Sequence, residues 1–125
     1  MKKTYEKTIL TEISFDIENL NWNKYLLEDL EIDWNYLSKI YTTFQIKVWK
    51  EIVKIPWGKT KSYKEIAIAI GSPNSYRAVA NACGKNPLLL LIPCHRVVSS
   101  NGMGGYVLGS EVKKKLLKYE KLVNN

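Results

Sequence analysis

With 125 residues, 46% hydrophobic and 25% charged, the chain has the composition of one small globular core with room for a short appendage. Two cysteines and a single histidine exclude a disulfide framework and leave too few ligands for a Cys/His zinc site. No apolar run reaches the length of a membrane span and no signal-type core follows Met1-Lys2-Lys3, so an intracellular protein, cytoplasmic or nuclear, is expected.

The net charge of +7 is unevenly spread. Residues 1–40 carry five lysines against eight carboxylates, whereas the rest carries only Glu51, Glu65, Glu111 and Glu120 against a large excess of lysine and arginine. Such a basic segment suits a polyanionic partner, although lysine-rich helices are also simply soluble. Residues 8–17 partly alternate apolar and polar side chains, as one or two half-buried strands would. Trp22, Tyr25, Leu26, Leu30, Trp34 and Leu37 then recur at roughly helical spacing. A short strand and helix arm over residues 1–40 is expected, packed against a domain over 41–125.

Signals sharpen from Thr42. Thr42 and Gln45 form a capping box that opens a helix over about 43–54, with Phe44, Val48, Ile52 and Ile55 on one face and Pro56 beyond its end. Ser62 and Glu65 form a second box before a helix with Ile66, Ala67 and Ile70 inward, and Gly71 closes it. Ser72-Pro73 reads as an N-cap and first helical position, giving a further helix to Ala82 or Cys83. Two short helices across a glycine turn make a helix-turn-helix, whose second member meets DNA. Arg77 is the only cation on that helix, and its small residues Ala78, Ala80, Asn81 and Ala82 permit close approach or close packing. Asn101-Gly102 suggests a hairpin tip between Val97-Val98 and Tyr106-Val107, a wing beside the helices. The last helix, over 111–123, turns Val112, Leu116, Tyr119 and Val123 inward and Lys113, Lys114, Lys115, Lys118 and Lys121 outward. The fold class is α+β, a mainly helical winged helix-turn-helix domain with a short arm.

Pro93-Cys94-His95-Arg96-Val97 carries the chemistry. An apolar run from Leu88 to Ile92 delivers the thiol, and a glycine-rich segment from Asn101 to Gly105 follows it. Only the thiolate is strongly nucleophilic and a free thiol is barely ionised at neutral pH, so a nearby base would matter. A lone histidine or an acidic residue near a helix end is otherwise packing or solvated surface. Cys83 is most simply a packed helix residue.

Residues 92–98, with Phe44 to Trp49, Ile55-Pro56-Trp57-Gly58, Ser62-Tyr63, Arg77-Ala78-Val79 and Asn86-Pro87, resemble the O6-alkylguanine-DNA alkyltransferases over about 41–123. The arm is shorter than that family's usual N-terminal domain, and the zinc site of some members has no ligands here. The resemblance implies that Cys94 takes the alkyl group from O6 of guanine, possibly O4 of thymine, in one irreversible displacement without cofactor or metal. It implies that His95 deprotonates the thiol through a water, that Glu120 orients His95, and that Tyr63 helps rotate the target nucleotide and hydrogen-bonds the flipped base. Arg77 matches the intercalating finger, with further DNA contacts from Tyr63, Ala78, Asn81 and Arg96. Asn86 matches the hinge, and Pro93, Val97, Tyr106 and Val107 the substrate pocket; at Val107 the family often has a small polar residue. The implied partner is double-stranded DNA containing O6-alkylguanine, bound by a monomer and not at a membrane. Two alternatives remain: a non-catalytic alkyltransferase-like damage binder, which by resemblance would lack Cys94, and a winged-helix regulator whose thiol senses redox state.

Overall fold

The computed structural model describes residues 31–124, which form five helices, one 3-10 turn and two two-residue strands. The strands expected over 8–17, and the helix expected from Trp22 as far as residue 30, lie outside these residues. Helix α1, Trp34–Ser38, is capped by Asp33, whose Oδ1 accepts from Tyr36 N at 3.0 Å. Its Leu37 is buried in the main core, so the end of the expected arm packs on the domain that follows.

Helix α2, Thr43–Val53, opens with the capping box read from the sequence: Gln45 N donates to Thr42 Oγ1 at 3.1 Å, and Thr42 N to Gln45 Oε1 at 2.9 Å. Ile46, Val48, Trp49 and Ile52 are its buried residues, while Phe44 is only half-buried. Trp49 is the largest fully buried side chain, and its Nε1 donates to Ala82 O at 3.0 Å. Tyr41 meets its ring edge-on at 4.9 Å.

After Pro56 the chain turns into β1, Lys61–Ser62, and α3, Tyr63–Ala69, whose capping box joins Ser62 and Glu65 reciprocally. Gly71 takes φ +77°, and two bonds, Gly71 N to Ile68 O at 3.0 Å and Ser72 N to Ala67 O at 2.9 Å, satisfy the last carbonyls of α3. The next helix does not start at Pro73. Ser72 and Ser75 hydrogen-bond hydroxyl to hydroxyl at 2.8 Å and Ser75 N reaches Ser72 O at 2.9 Å, closing a separate turn. Helix α4, Tyr76–Gly84, therefore begins three residues later than the serine and proline suggest, and it includes Gly84. Together α3, this turn and α4 form the helix-turn-helix.

The 3-10 turn Cys94–Arg96 leads into β2, Val97–Val98. The expected hairpin is replaced by a different pairing: β2 lies parallel to β1, Lys61 opposite Val97 and Ser62 opposite Val98. Beyond it only an isolated bridge, Ser99 to Gly102, keeps antiparallel character, and Val107-Leu108 is a turn. Helix α5, Ser110–Asn124, closes the molecule over a second cluster in which Leu90 and Leu116 are buried among Trp57, Tyr106, Leu108, Val112 and Tyr119. Among the described residues no helix is long and apolar enough to cross a membrane.

Trp49 fills the junction of α2 and α4 and also satisfies a backbone carbonyl, so Trp49→Ala removes packing and a hydrogen bond together. Urea unfolding should show a loss of about 3–5 kcal/mol.

Candidate active site

Cys94 sits where a strained run of apolar backbone ends. Ile92 N bonds back to Leu88 O at 2.9 Å and Cys94 N to Ile92 O at 2.7 Å, and between them Leu90 is held at φ +73°, a conformation that costs a side-chain-bearing residue roughly 1–2 kcal/mol. The Leu90 side chain is buried in the second cluster, which holds that conformation in place. Asn86 braces the same run: its Oδ1 accepts from Leu88 N at 2.8 Å, and its Nδ2 donates to Ile92 O at 2.6 Å and to Cys94 Sγ at 3.2 Å. Asn86, the residue expected as a hinge, thus also contacts the sulfur directly.

A pocket of about 360 Å³ opens over the thiol, lined by Tyr63, Ala80, Cys83, Gly84, Cys94, Gly105, Tyr106 and Val107. Cys94 is only 3% exposed. Burial pushes its thiol well above the ordinary range, the neighbouring Cys83 thiol adds to this, and Asn86 and Lys113 oppose it. The resting sulfur is a protonated thiol.

Behind it lies a buried charged chain. Glu120 Oε2 meets His95 Nε2 at 2.8 Å and Arg96 Nη2 at 2.7 Å, while Glu120 Oε1 accepts from Arg96 Nε at 2.9 Å. Burial alone would raise the Glu120 pKa, but hydrogen bonds from His95 and Arg96 outweigh it and hold the group below its usual value. An ionised carboxylate only accepts, so Nε2 carries the histidine proton and Nδ1 is left as the bare ring nitrogen. Burial also lowers the His95 pKa, against the pull of Glu120, which keeps the ring neutral. Nδ1 has no hydrogen-bond partner among the described residues, and neither does the buried Tyr106 hydroxyl.

Arg96, expected to reach DNA, is instead buried. Its guanidinium is turned inward, giving a third bond from Nη1 to Ile55 O at 2.7 Å and lying 5.7 Å from the centre of the Trp57 ring. Lys113 is likewise not on the outer face of the last helix. It is fully buried, and its ammonium donates to Val97 O at 2.6 Å and Gly105 O at 2.9 Å. Val97 belongs to the first expected wing strand and Gly105 lies just before the second, so one lysine ties the two segments together. Sequence reasoning missed Lys113 because a lysine run on an amphipathic helix reads as solvated. The only available signal was its position one turn before the buried Leu116 and one turn after Gly109.

Tyr63, at the first position of α3, lines the pocket opposite the thiol. Gly104 crosses it at φ +74°, where a Cβ would come within 2.7 Å of the Tyr63 hydroxyl, so only glycine fits. Arg77, Ala78 and Asn81 are exposed on one face of α4, Val79 and Ala82 are buried on another, and Ala80, Cys83 and Gly84 face the pocket. Pro93 and Val97 are buried beside the thiol rather than lining the pocket, whereas Tyr106 and Val107 do line it.

Fold and site define a helix-turn-helix protein whose second helix forms one wall of a pocket floored by a buried thiol. The chain belongs to the 6-O-methylguanine DNA methyltransferase family, whose DNA-binding domain model matches residues 43–122. It is similar to a probable methylated-DNA–protein-cysteine methyltransferase of Acanthamoeba polyphaga mimivirus, 58% identical over 80 residues, which are 64% of this chain and 54% of the relative. The Mycobacterium tuberculosis alkyltransferase solved in complex with DNA superposes with a TM-score of 0.64 at 47% identity, over 66% of this chain and 52% of that one. An S. pombe protein solved with damaged DNA containing O6-carboxymethylguanine gives 0.57 at 30% identity, over 64% and 77%. The chain spans about half the length of the curated relatives it matches.

His95 and Glu120 both bind protons less readily in the fold than at their ordinary values of 6.5 and 4.5. Stability is therefore full above pH 6.5 and is lost as pH falls, first through histidine and then through carboxylate protonation. The urea midpoint should decline as pH is lowered below 6.5. Glu120→Gln, which leaves Arg96 as a buried charge facing a neutral amide, should cost about 3–5 kcal/mol at neutral pH.

Proposed function

We propose that this protein repairs DNA by transferring an alkyl group from O6 of guanine to Cys94. The thiol proton passes through a water to His95, Cys94 Sγ bonds to the alkyl carbon as the carbon–O6 bond breaks, and the departing guanine takes up that proton, leaving guanine in the DNA and a thioether on the protein. The product is stable, so each molecule acts once. Sulfur attack on a saturated carbon needs no cofactor and no metal. One observation carries the reading: a pocket-floor thiol, held protonated, lies next in sequence to a neutral histidine whose tautomer Glu120 fixes with Nδ1 free of its proton. No hydrogen bond joins the His95 ring to Cys94 Sγ among the described residues, which fits proton transfer through a water. Lys113 supplies positive charge that favours the thiolate once it forms.

A pocketed thiol cannot reach a stacked base, so the nucleotide must leave the duplex at a cost of a few kcal/mol. Arg77, exposed on α4, fills the gap, and Tyr63 contacts the extruded base. Ala78 and Asn81 share the exposed face with Arg77 and let the helix approach closely, with contacts mainly to the backbone. The partner is duplex DNA containing O6-alkylguanine, bound by a monomer of intracellular location, and residues 1–40 serve as a reduced arm on the 41–125 domain.

Incubation with an oligonucleotide containing O6-methylguanine should add a single methyl mass to the intact protein. Peptide mapping should put it on Cys94, and Cys94→Ser should abolish it. Retained binding without added mass would instead favour a damage binder, a reading that the S. pombe complex with O6-carboxymethylguanine DNA keeps open. Arg77→Ala should slow repair of duplex DNA by about tenfold or more while leaving reaction with free alkylated guanine nearly unchanged, since only the duplex has a gap to fill. Equal losses would make Arg77 structural.

A further inference from the structure

We propose that Cys83 and Cys94 form a reversible disulfide across the pocket, a redox switch that withdraws the alkyl acceptor. These are the only cysteines in the chain, and both are free thiols. They come from different elements, the last turn of α4 and the 3-10 turn, yet both line the one pocket. Cys83 is half-buried and Cys94 is at the floor, so a small oxidant entering from solvent meets Cys83 first. Both thiols border the same cavity, and the Cys83 thiol raises the cost of ionising Cys94. Nothing in the proposed alkyl transfer uses Cys83: Asn86, His95, Glu120 and Lys113 supply the groups around the reacting sulfur. A second sulfur in the pocket of a nucleophile that acts only once is thus unaccounted for by that chemistry.

The oxidant is a small peroxide. The Cys83 sulfur attacks its O–O bond, so sulfur is oxidised to a sulfenic acid and the peroxide is reduced to water. The Cys94 sulfur then bonds to Cys83 Sγ, the S–O bond breaks, and the hydroxyl leaves as water with the Cys94 proton. A dithiol returns both cysteines by exchange. The bridge spans the pocket floor and Cys94 can no longer accept an alkyl group. Only this last consequence rests on the function proposed above; bridge formation does not.

The test is intact mass of the full chain after dilute hydrogen peroxide, followed by non-reducing peptide mapping. The expected result is loss of two hydrogen masses, a cross-linked peptide joining Cys83 to Cys94, and reversal by dithiothreitol. Cys83→Ser and Cys83→Ala, used in parallel so that a folding defect in one is recognised, should both lack the two-hydrogen loss. Methyl acceptance from O6-methylguanine DNA should fall with the bridged fraction and return on reduction. The proposal is overturned if peroxide adds oxygen to wild type without a two-hydrogen loss, or if the two-hydrogen species carries both cysteines unlinked. A bridge that forms in a protein unable to accept methyl groups would defeat the repair reading and leave the switch intact.

Discussion

The Glu120 carboxylate is the tie on which the rest of this structure depends. One oxygen is shared by His95 and Arg96 and the other belongs to Arg96, so three side chains from two elements close a buried network. A carboxylate in such a place is tolerable only when hydrogen bonds and a full opposing charge offset its lost hydration. Arg96 supplies that charge, and another of its donors is used by Ile55 O just beyond the end of α2. The last helix, the active-site turn and the first long helix are thereby joined through one polar junction. The same carboxylate sets which histidine nitrogen carries the proton, so this buried junction also decides the chemistry next to the thiol.

Lys113 plays the matching part on the other side of the pocket. Its ammonium bridges the carbonyls of Val97 and Gly105, which anchors the glycine loop to β2 without a strand between them. It also lies 5.9 Å from the centre of the Tyr63 ring. A buried lysine satisfied by neutral carbonyls leaves its charge uncancelled, and that field extends to the sulfur. Two charged side chains of α5, one of each sign and seven residues apart on one face, thus bracket the pocket from behind.

Local signals were legible and distant ones were not. The boxes at Thr42 and Ser62 and the stop at Gly71 depend on residues within one turn of each other, so the sequence states them directly. Ser72-Pro73 carries an equally local signal, but the serine pair turned it into a turn of its own. Arg96 reads as a surface cation and Lys113 as part of a solvated stripe; only Glu120, 24 residues on from the one, and Val97, 16 back from the other, reveal them as interior. The parallel pairing of β2 with β1 joins segments 36 residues apart and leaves no periodicity to find. Cys94, His95, Tyr63, Arg77 and Asn86 stand within a specific set of motifs, whereas Cys83 has no motif and is recognisable only in the pocket.

Helix α4 has nine residues and no idle face. Val79 and Ala82 belong to the core, Ala80, Cys83 and Gly84 to the pocket, and Arg77, Ala78 and Asn81 to solvent. Each residue turns the helix by about 100°. Inserting or deleting one residue between Arg77 and Val79 would turn the arginine by that angle away from its place beside Asn81 and change every assignment before it, a rearrangement that substitution cannot imitate. The segment can therefore vary in side chain but not in length, which makes the spacing from Arg77 to Cys83 a more durable signature of this protein than the identity of most residues within it.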